Sequence, residues 1–375
     1  MSFQAGLDAL RGVRSAGRVP VMEHLNGLSR EAIVHFTGID VINEPGRINE
    51  AFSHLADVFE VDLYWGGGLP GDPHAVMDWS GGEKVKTRDD GMEVVQWGVF
   101  GTTHQEGGRH FVHIPKPTTV DEALALRPLE LFPDTVAQYR ERFTVKYEGM
   151  LDNSGDHVLP VPHHYTTCFH WPLAIFGFEL LCEVGMEGEP FERLMAEFAE
   201  VSRRITTAWS QVPGVHAFIC HDDLTITSGP IFPPDWYRQT IFPHYEAIFA
   251  PLREAGIPVI FTSDGDCSLF IDDVFAAGAD GLNFEYLVDL DAVVDRHPDK
   301  ILIGNLNSAT IAGGSDEQVE AEVRRCIEGG SRAPRFVVNV GGQLTHDIPV
   351  EKLDHYLNVR KRLSREFAGA DAVSA

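Results

Sequence analysis

The sequence predicts an α/β chain closed into a single (β/α)8 barrel of the TIM type. Three observations carry that expectation. From about residue 200 onward, strand-length apolar runs alternate with amphipathic helical stretches, the rhythm of parallel strands joined by right-handed crossovers. No Gly-x-Gly-x-x-Gly follows a strand, as a doubly wound dinucleotide fold would require. No linker rich in Pro, Gly or Ser divides the 375 residues, and barrels of about this length are ordinary as one unit.

Taken in order, Val19 to Met22 reads as a first strand, and Arg47 to Phe59 as a helix with Ile48, Phe52, Leu55 and Phe59 on one face. Val61 to Trp65 and Val94 to Phe100 read as strands, with another near Tyr165 to Phe169. The regular half then begins with a helical run from Phe191 to Gln211. Apolar strands follow at Val215 to Cys220, Ile257 to Phe261, Gly281 to Phe284, Ile301 to Ile303 and Phe336 to Val340. Between and after them lie helices near Trp236 to Ala255, Leu269 to Ala277, Asp289 to Arg296, Asp316 to Cys326 and Val350 to Phe367. With one strand peripheral, eight remain for the barrel. The expected organisation is an extension over 1–18, a catalytic barrel over 19–366 and a flexible tail over 367–375.

Composition narrows the function. Hydrophobic residues form 43% and charged residues 23% of the chain, enough apolar material for a large core. The net charge of −26 repels nucleic acid and anionic membrane surfaces. The opening Met1-Ser2-Phe3-Gln4 lacks the basic and apolar regions of a secretory leader, and no apolar run has the length of a membrane span, so a cytoplasmic location is expected. Cys168, Cys182, Cys220, Cys267 and Cys326 have neither zinc-ribbon nor disulfide-framework spacing and read mostly as buried thiols.

In a barrel, the carboxyl ends of the strands converge on one face, and here those ends are polar. His221-Asp222-Asp223 follows one strand and Thr262-Ser263-Asp264 the next, with Asn283 and Glu285, Asn305 and Asn307, then Gln343 and His346 after the others. Strand alternation sets His221 and Asp223 on one side, so with Asp264 they are candidate ligands for zinc or another divalent ion. Asp222, Asp266 and Asn307 stand where helix caps would stand. His163 and His164 read either as an exposed loop pair or as substrate contacts, and Trp65, Trp97, Trp171 and Trp236 either as core or as the rim of a mouth suited to a flat or apolar substrate.

The second half resembles the uroporphyrinogen decarboxylase superfamily, a (β/α)8 family that includes the corrinoid-protein methyltransferases. The resemblance rests on His221-Asp222-Asp223-Leu224, Pro234-Asp235-Trp236-Tyr237, Pro258-Val259-Ile260-Phe261 through Asp264-Gly265, Gly278 to Asn283, Gly304-Asn305 and Asp347 to Glu351. Asp62 is similar to the family's first-half acidic position and, by that resemblance, a catalytic acid. Trp97-Gly98-Val99 resembles a segment common in the methyltransferase branch. Where the decarboxylases carry an arginine motif, this chain has Glu23 and His24, which implies a substrate without the carboxylates of a porphyrinogen. Where thiol-type methyltransferases carry a His-x-Cys pair and a later Cys, it has Thr262, Asp264 and Gly342.

The resulting expectation is a methyltransferase that moves a methyl group from a small methoxylated or methylamine-like substrate to a corrinoid on a separate partner protein. His221, Asp223 and Asp264 would activate the leaving atom, with His346 as a general acid. Glu23, His24, Trp65, His163, His164 and Asn283 would contact substrate. The alternatives are a cofactor-independent decarboxylase or other lyase using Asp62, and a barrel that binds a small molecule without catalysis. The assembly state is open, with a homodimer as the candidate.

Overall fold

The computed structural model describes residues 3–14, 16–65, 117–155 and 157–369, together with the backbone of the strands Glu83–Thr87, Glu93–Trp97 and Phe100–His104. Eight parallel positions follow one another around a closed ring. Val21 and Met22 bridge to Val338 and Leu63, and Leu63–Tyr64 pairs with Leu159–Pro160. The chain continues from there into His163–His164, which pairs with Phe218–His221. Val259–Ser263, Gly281–Phe284, Ile301–Leu306 and Phe336–Val340 complete the circuit back to Val21. A barrel, not an open sheet, is thus the fold.

Strand alternation divides the apolar residues into two cores. Met22, Leu63, Leu159, Val161, Ala217, Ile219, Ile260, Ile301, Ile303 and Val337 fill the lumen. Their neighbours Val21, Tyr64, Phe218, Cys220, Val259, Phe261, Leu282, Leu302 and Val338 face the surrounding helices. Strands buried on both sides read as continuous apolar runs, which is why the second half is so legible. The extension forms a helix, Phe3–Leu10, that seals the amino-terminal end of the lumen: Ala9 and Leu10 join the inner core, and Phe3 and Leu7 pack against it. Gly6 permits the contact, since a Cβ there would lie 2.5 Å from both the Asp62 carbonyl oxygen and Leu159 Cβ.

Three expectations change. The Val94 to Phe100 segment belongs to an antiparallel sheet of Glu83–Thr87, Glu93–Trp97 and Phe100–His104, which is the peripheral strand material and not a barrel stave. The strand placed near Tyr165 to Phe169 lies earlier, at Leu159–Pro160 and His163–His164, where Pro160 and Pro162 obscure the strand signal. The helix expected over Trp236 to Ala255 is two helices, Pro234–Thr240 and Phe242–Glu254, because Pro243 lacks the amide proton that would continue the first. Among the described residues no helix is long and apolar enough to cross a membrane.

Asp62 is also corrected. It precedes the Leu63–Tyr64 strand at the sealed end of the barrel and is fully engaged there. Arg18 Nη1 and Nη2 donate to its two oxygens at 2.6 and 2.8 Å, and the Val21 amide donates at 2.9 Å. Both side chains are buried, so this carboxylate clamps the first two staves and does not reach the mouth. Asp62→Ala leaves the buried Arg18 guanidinium only the Val19 carbonyl at 3.3 Å and Glu60 at 3.6 Å, and is expected to cost about 3–5 kcal/mol. Urea unfolding measures it; a loss under about 1 kcal/mol would show that the pair carries little of the fold's stability.

Candidate active site

The site grows from the end of the Phe218–His221 strand. His221 continues the lumen side above Ile219, and its Nδ1 lies 3.0 Å from the Tyr165 carbonyl oxygen, an acceptor that fixes the proton on Nδ1. The ring also stacks on the Tyr165 ring at 4.1 Å. Nε2 then faces Asp223, with Oδ1 at 3.2 Å, and the other Asp223 oxygen lies 3.3 Å from His170 Nδ1. The donor atoms of His170, His221 and Asp223 all fall within 4.8 Å of one another. Asp264 adjoins this group through its amide, which donates to Asp223 Oδ1 at 3.2 Å, while its side chain is exposed at the mouth.

These neighbours set the electrostatics. Burial opposes the imidazolium of His221, yet Asp223 and then Asp264 lift its pKa to about 9. Burial likewise opposes the Asp223 carboxylate, but His221 and His170 hold it well below the usual range. The crowding of Asp264 by protein, and then the nearby Asp223 and Glu285 carboxylates, push it up to about 6 despite His221. Two adjacent carboxyls therefore differ in role: Asp223 stays ionised, and Asp264 can hold a proton close to neutral pH.

His170 was invisible to the strand-end argument because it sits on the first turn of a helix, His170–Val184, and not on a stave. Asp222 brings it in. This buried carboxylate accepts the amides of Cys168 and Phe169 at 2.9 and 2.7 Å, the amide of His170, and the Tyr245 hydroxyl at 2.6 Å. Asp222 is a cap, as its sequence position suggested, but of a helix some fifty residues upstream. Burial raises it to about 6, against the pull of those donors. Asn307 caps the next helix as expected, accepting from the Ala309 and Thr310 amides.

Around this group, His24 packs on Trp65 at 4.8 Å between ring centres, and Trp65 stands 5.7 Å from His163 and 5.9 Å from His221. Burial lowers His24 to about 4 and His163 well below its usual value, so both are neutral walls. Thr262 and Asn283 sit beside His221 in register, and Asn339 Nδ2 donates to Asn283 Oδ1 at 3.2 Å. Among the described residues, Thr262 Oγ1 and Asn339 Oδ1 have no hydrogen-bond partner. Glu285 accepts from the Gly265 amide at 2.9 Å. Gly265 has φ +77, and a Cβ there would press on Ile226 O and Thr225 Oγ1 at 2.9 Å.

Three expected residues lie elsewhere. Glu23 points out of the lumen, where it accepts the Tyr356 hydroxyl and faces Arg360 at 3.8 Å, buried between barrel and helix. It cannot contact substrate, so repulsion of an anionic ligand rests on Asp223, Asp264 and Glu285. His164 also faces outward and pairs with Ser202 Oγ at 2.9 Å; the adjacent His163 takes the inward side. His346 is exposed beyond the last strand, and among the described residues no hydrogen bond ties it to His221 or Asp264. Trp171 is core, and the Trp97 side chain lies outside the described residues. The cysteines are free, all buried except the half-buried Cys182.

Residues 180–363 match the uroporphyrinogen decarboxylase family model. That match covers a little under half of the chain, which is similar to the family over this segment. A uroporphyrinogen decarboxylase of Thermodesulfovibrio yellowstonii is 27% identical over 45% of this chain and 47% of its own length. One from Rhodococcus erythropolis is 37% identical over 26% and 27%. The chain thus spans about half the length, or less, of these curated relatives. A solved methyltransferase from Methanosarcina mazei shares the fold across 96% of this chain and 99% of its own, with TM-score 0.63 and 16% identity. At the mouth, Thr262 and Asp264 flank Ser263 at the end of a single stave, and Gly342 after the last stave lies beside Glu285, whose Oε1 would be 3.3 Å from a Cβ there.

Glu23 supplies a pH test of this geometry. Burial raises its carboxyl from 4.5 to about 7, with Arg360 and Tyr356 only partly offsetting that rise. A carboxyl raised in the folded state favours folding while protonated, and the benefit fades as pH climbs from about 4.5 through 7. The associated loss is about 3 kcal/mol. Glu23→Gln is expected to flatten the fall in unfolding free energy between pH 5 and pH 8; an unchanged slope in denaturant titrations would reject this role.

Proposed function

We propose that this protein takes a methyl group from a small methoxylated or methylamine-like substrate and delivers it to a corrinoid carried by a separate protein. The observation that carries the reading is the pairing of a protonatable carboxyl, Asp264, with an ionised His221–Asp223 pair in a mouth walled by Trp65, His24 and His163. Loss of a methyl group leaves electron density on an oxygen or nitrogen that departs poorly without a proton or a Lewis acid. Asp264 is positioned to give that proton, and His221 and Asp223 hold the charge around it. Trp65 offers a face to an apolar or cationic body, while Thr262, Asn283 and Asn339 offer hydrogen bonds. Cobalt in the partner's corrinoid would supply the nucleophile that accepts the methyl group.

The whole-length likeness in fold to a methyltransferase barrel supports this reading. Decarboxylation of a small acid is the second reading, favoured by the names of the curated relatives. The burial of Asp62 against Arg18 removes the acid it would use. The test is a panel of methyl ethers and methylated amines supplied with a reduced corrinoid protein, followed by cobalt absorbance. Demethylation is expected only with the corrinoid, and Asp264→Ala is expected to lower it roughly a hundredfold. Release of carbon dioxide, or equal turnover without corrinoid, overturns the proposal.

A further inference from the structure

We infer that His170, His221 and Asp223 form a binding site for one borderline divalent transition ion, zinc above all. The site stands on the donor geometry and does not depend on the methyl-transfer reading. It also differs from the ligand set expected from the strand ends, since His170 from a helix replaces Asp264 as the third ligand.

Four features of the molecule support it. The three donor atoms come from two elements yet lie mutually within 4.8 Å, a spacing that lets one ion touch all of them. His221 is oriented for coordination: Nδ1 donates to the Tyr165 carbonyl, which leaves Nε2, facing Asp223, as the nitrogen that an ion would take in place of a proton. The approach of His170 is fixed by its own backbone, because Asp222 holds three successive amides at that helix start. Both imidazoles are nearly inaccessible to water, at 10% and 2% side-chain exposure, while Asp223 at 21% faces the mouth. The site is thus rigid behind and open in front.

The donor set selects the metal. Two imidazoles and one carboxylate suit zinc, iron(II) or cobalt(II), whereas calcium and magnesium prefer all-oxygen cages and copper(I) prefers sulfur. No cysteine takes part. Three protein ligands leave coordination positions for a substrate oxygen or nitrogen, the arrangement of a catalytic site as opposed to a closed structural one. Asp264 then stands beside the ion's ligands, its amide on Asp223 Oδ1.

The experiment uses the full chain, stripped with a chelator and titrated with zinc or cobalt(II) in the absence of substrate and corrinoid. Calorimetry is expected to show one tight equivalent, and the cobalt(II) form visible d–d bands without a thiolate charge-transfer band. His170→Ala and Asp223→Asn are each expected to weaken binding by roughly a hundredfold or more, judged by the 10–100-fold typical of supporting contacts alone. Asp264→Asn should stay within a few-fold of the parent. Near-ultraviolet circular dichroism confirms that each variant is folded, and Asp223→Asn serves if His170→Ala is not. The inference is overturned if the folded parent binds no stoichiometric ion, if binding persists in both ligand variants, or if Asp264→Asn abolishes it and His170→Ala does not. Failure here alongside working demethylation would leave the methyl-transfer reading intact; metal binding without demethylation would do the reverse.

Discussion

The site depends on one buried carboxylate. Asp222 receives three consecutive backbone amides and a tyrosine hydroxyl, three of them on Oδ2 and one on Oδ1, so both oxygens are engaged in a place where water cannot help. A charge-assisted bond is worth roughly twice a neutral one, and four on one group offset much, though not all, of the desolvation that ionisation incurs there. The consequence is geometric. Asp222 points away from the lumen, its neighbours His221 and Asp223 point towards it, and the helix bearing His170 is fastened to that same strand end. A single strand residue thereby orders both halves of the polar cluster.

The two-sided burial of the staves explains why the fold could be read and where reading failed. Phe336–Val340 and Gly281–Phe284 are apolar runs broken only by Asn339 and Asn283, and their boundaries are intact in the structure. Leu159–Pro160 and His163–His164 carry two prolines and two histidines across one stave, so neither hydrophobicity nor periodicity marks it. Val21–Met22 contributes only isolated bridges and is held by the Asp62 clamp as much as by pairing.

The site was half legible for the same reason. Parity along a recognised strand puts His221 on the lumen side and carries Asp223 and Asp264 with it. Parity also separates His163 from His164 and His24 from Glu23, but only once the strand register is known. His170 could not be reached that way, because its place is set by a hydrogen bond to a residue fifty positions later. Nothing local in Cys168-Phe169-His170-Trp171 announces that bond; a buried Asp beside a strand-end His is the signal that could have prompted the search.

The helix that stoppers the lumen has a kinetic meaning. With Phe3, Leu7, Ala9 and Leu10 filling the amino-terminal end, the proposed methyl transfer would have the small molecule and its acceptor protein share the entrance at the strands' carboxyl ends. A large acceptor seated over that doorway would shut the small molecule in. Binding would then follow a compulsory order, the small molecule first and the acceptor second, and the demethylated product would wait for the acceptor to depart. On that reading, turnover would be governed by how briefly the larger partner stays.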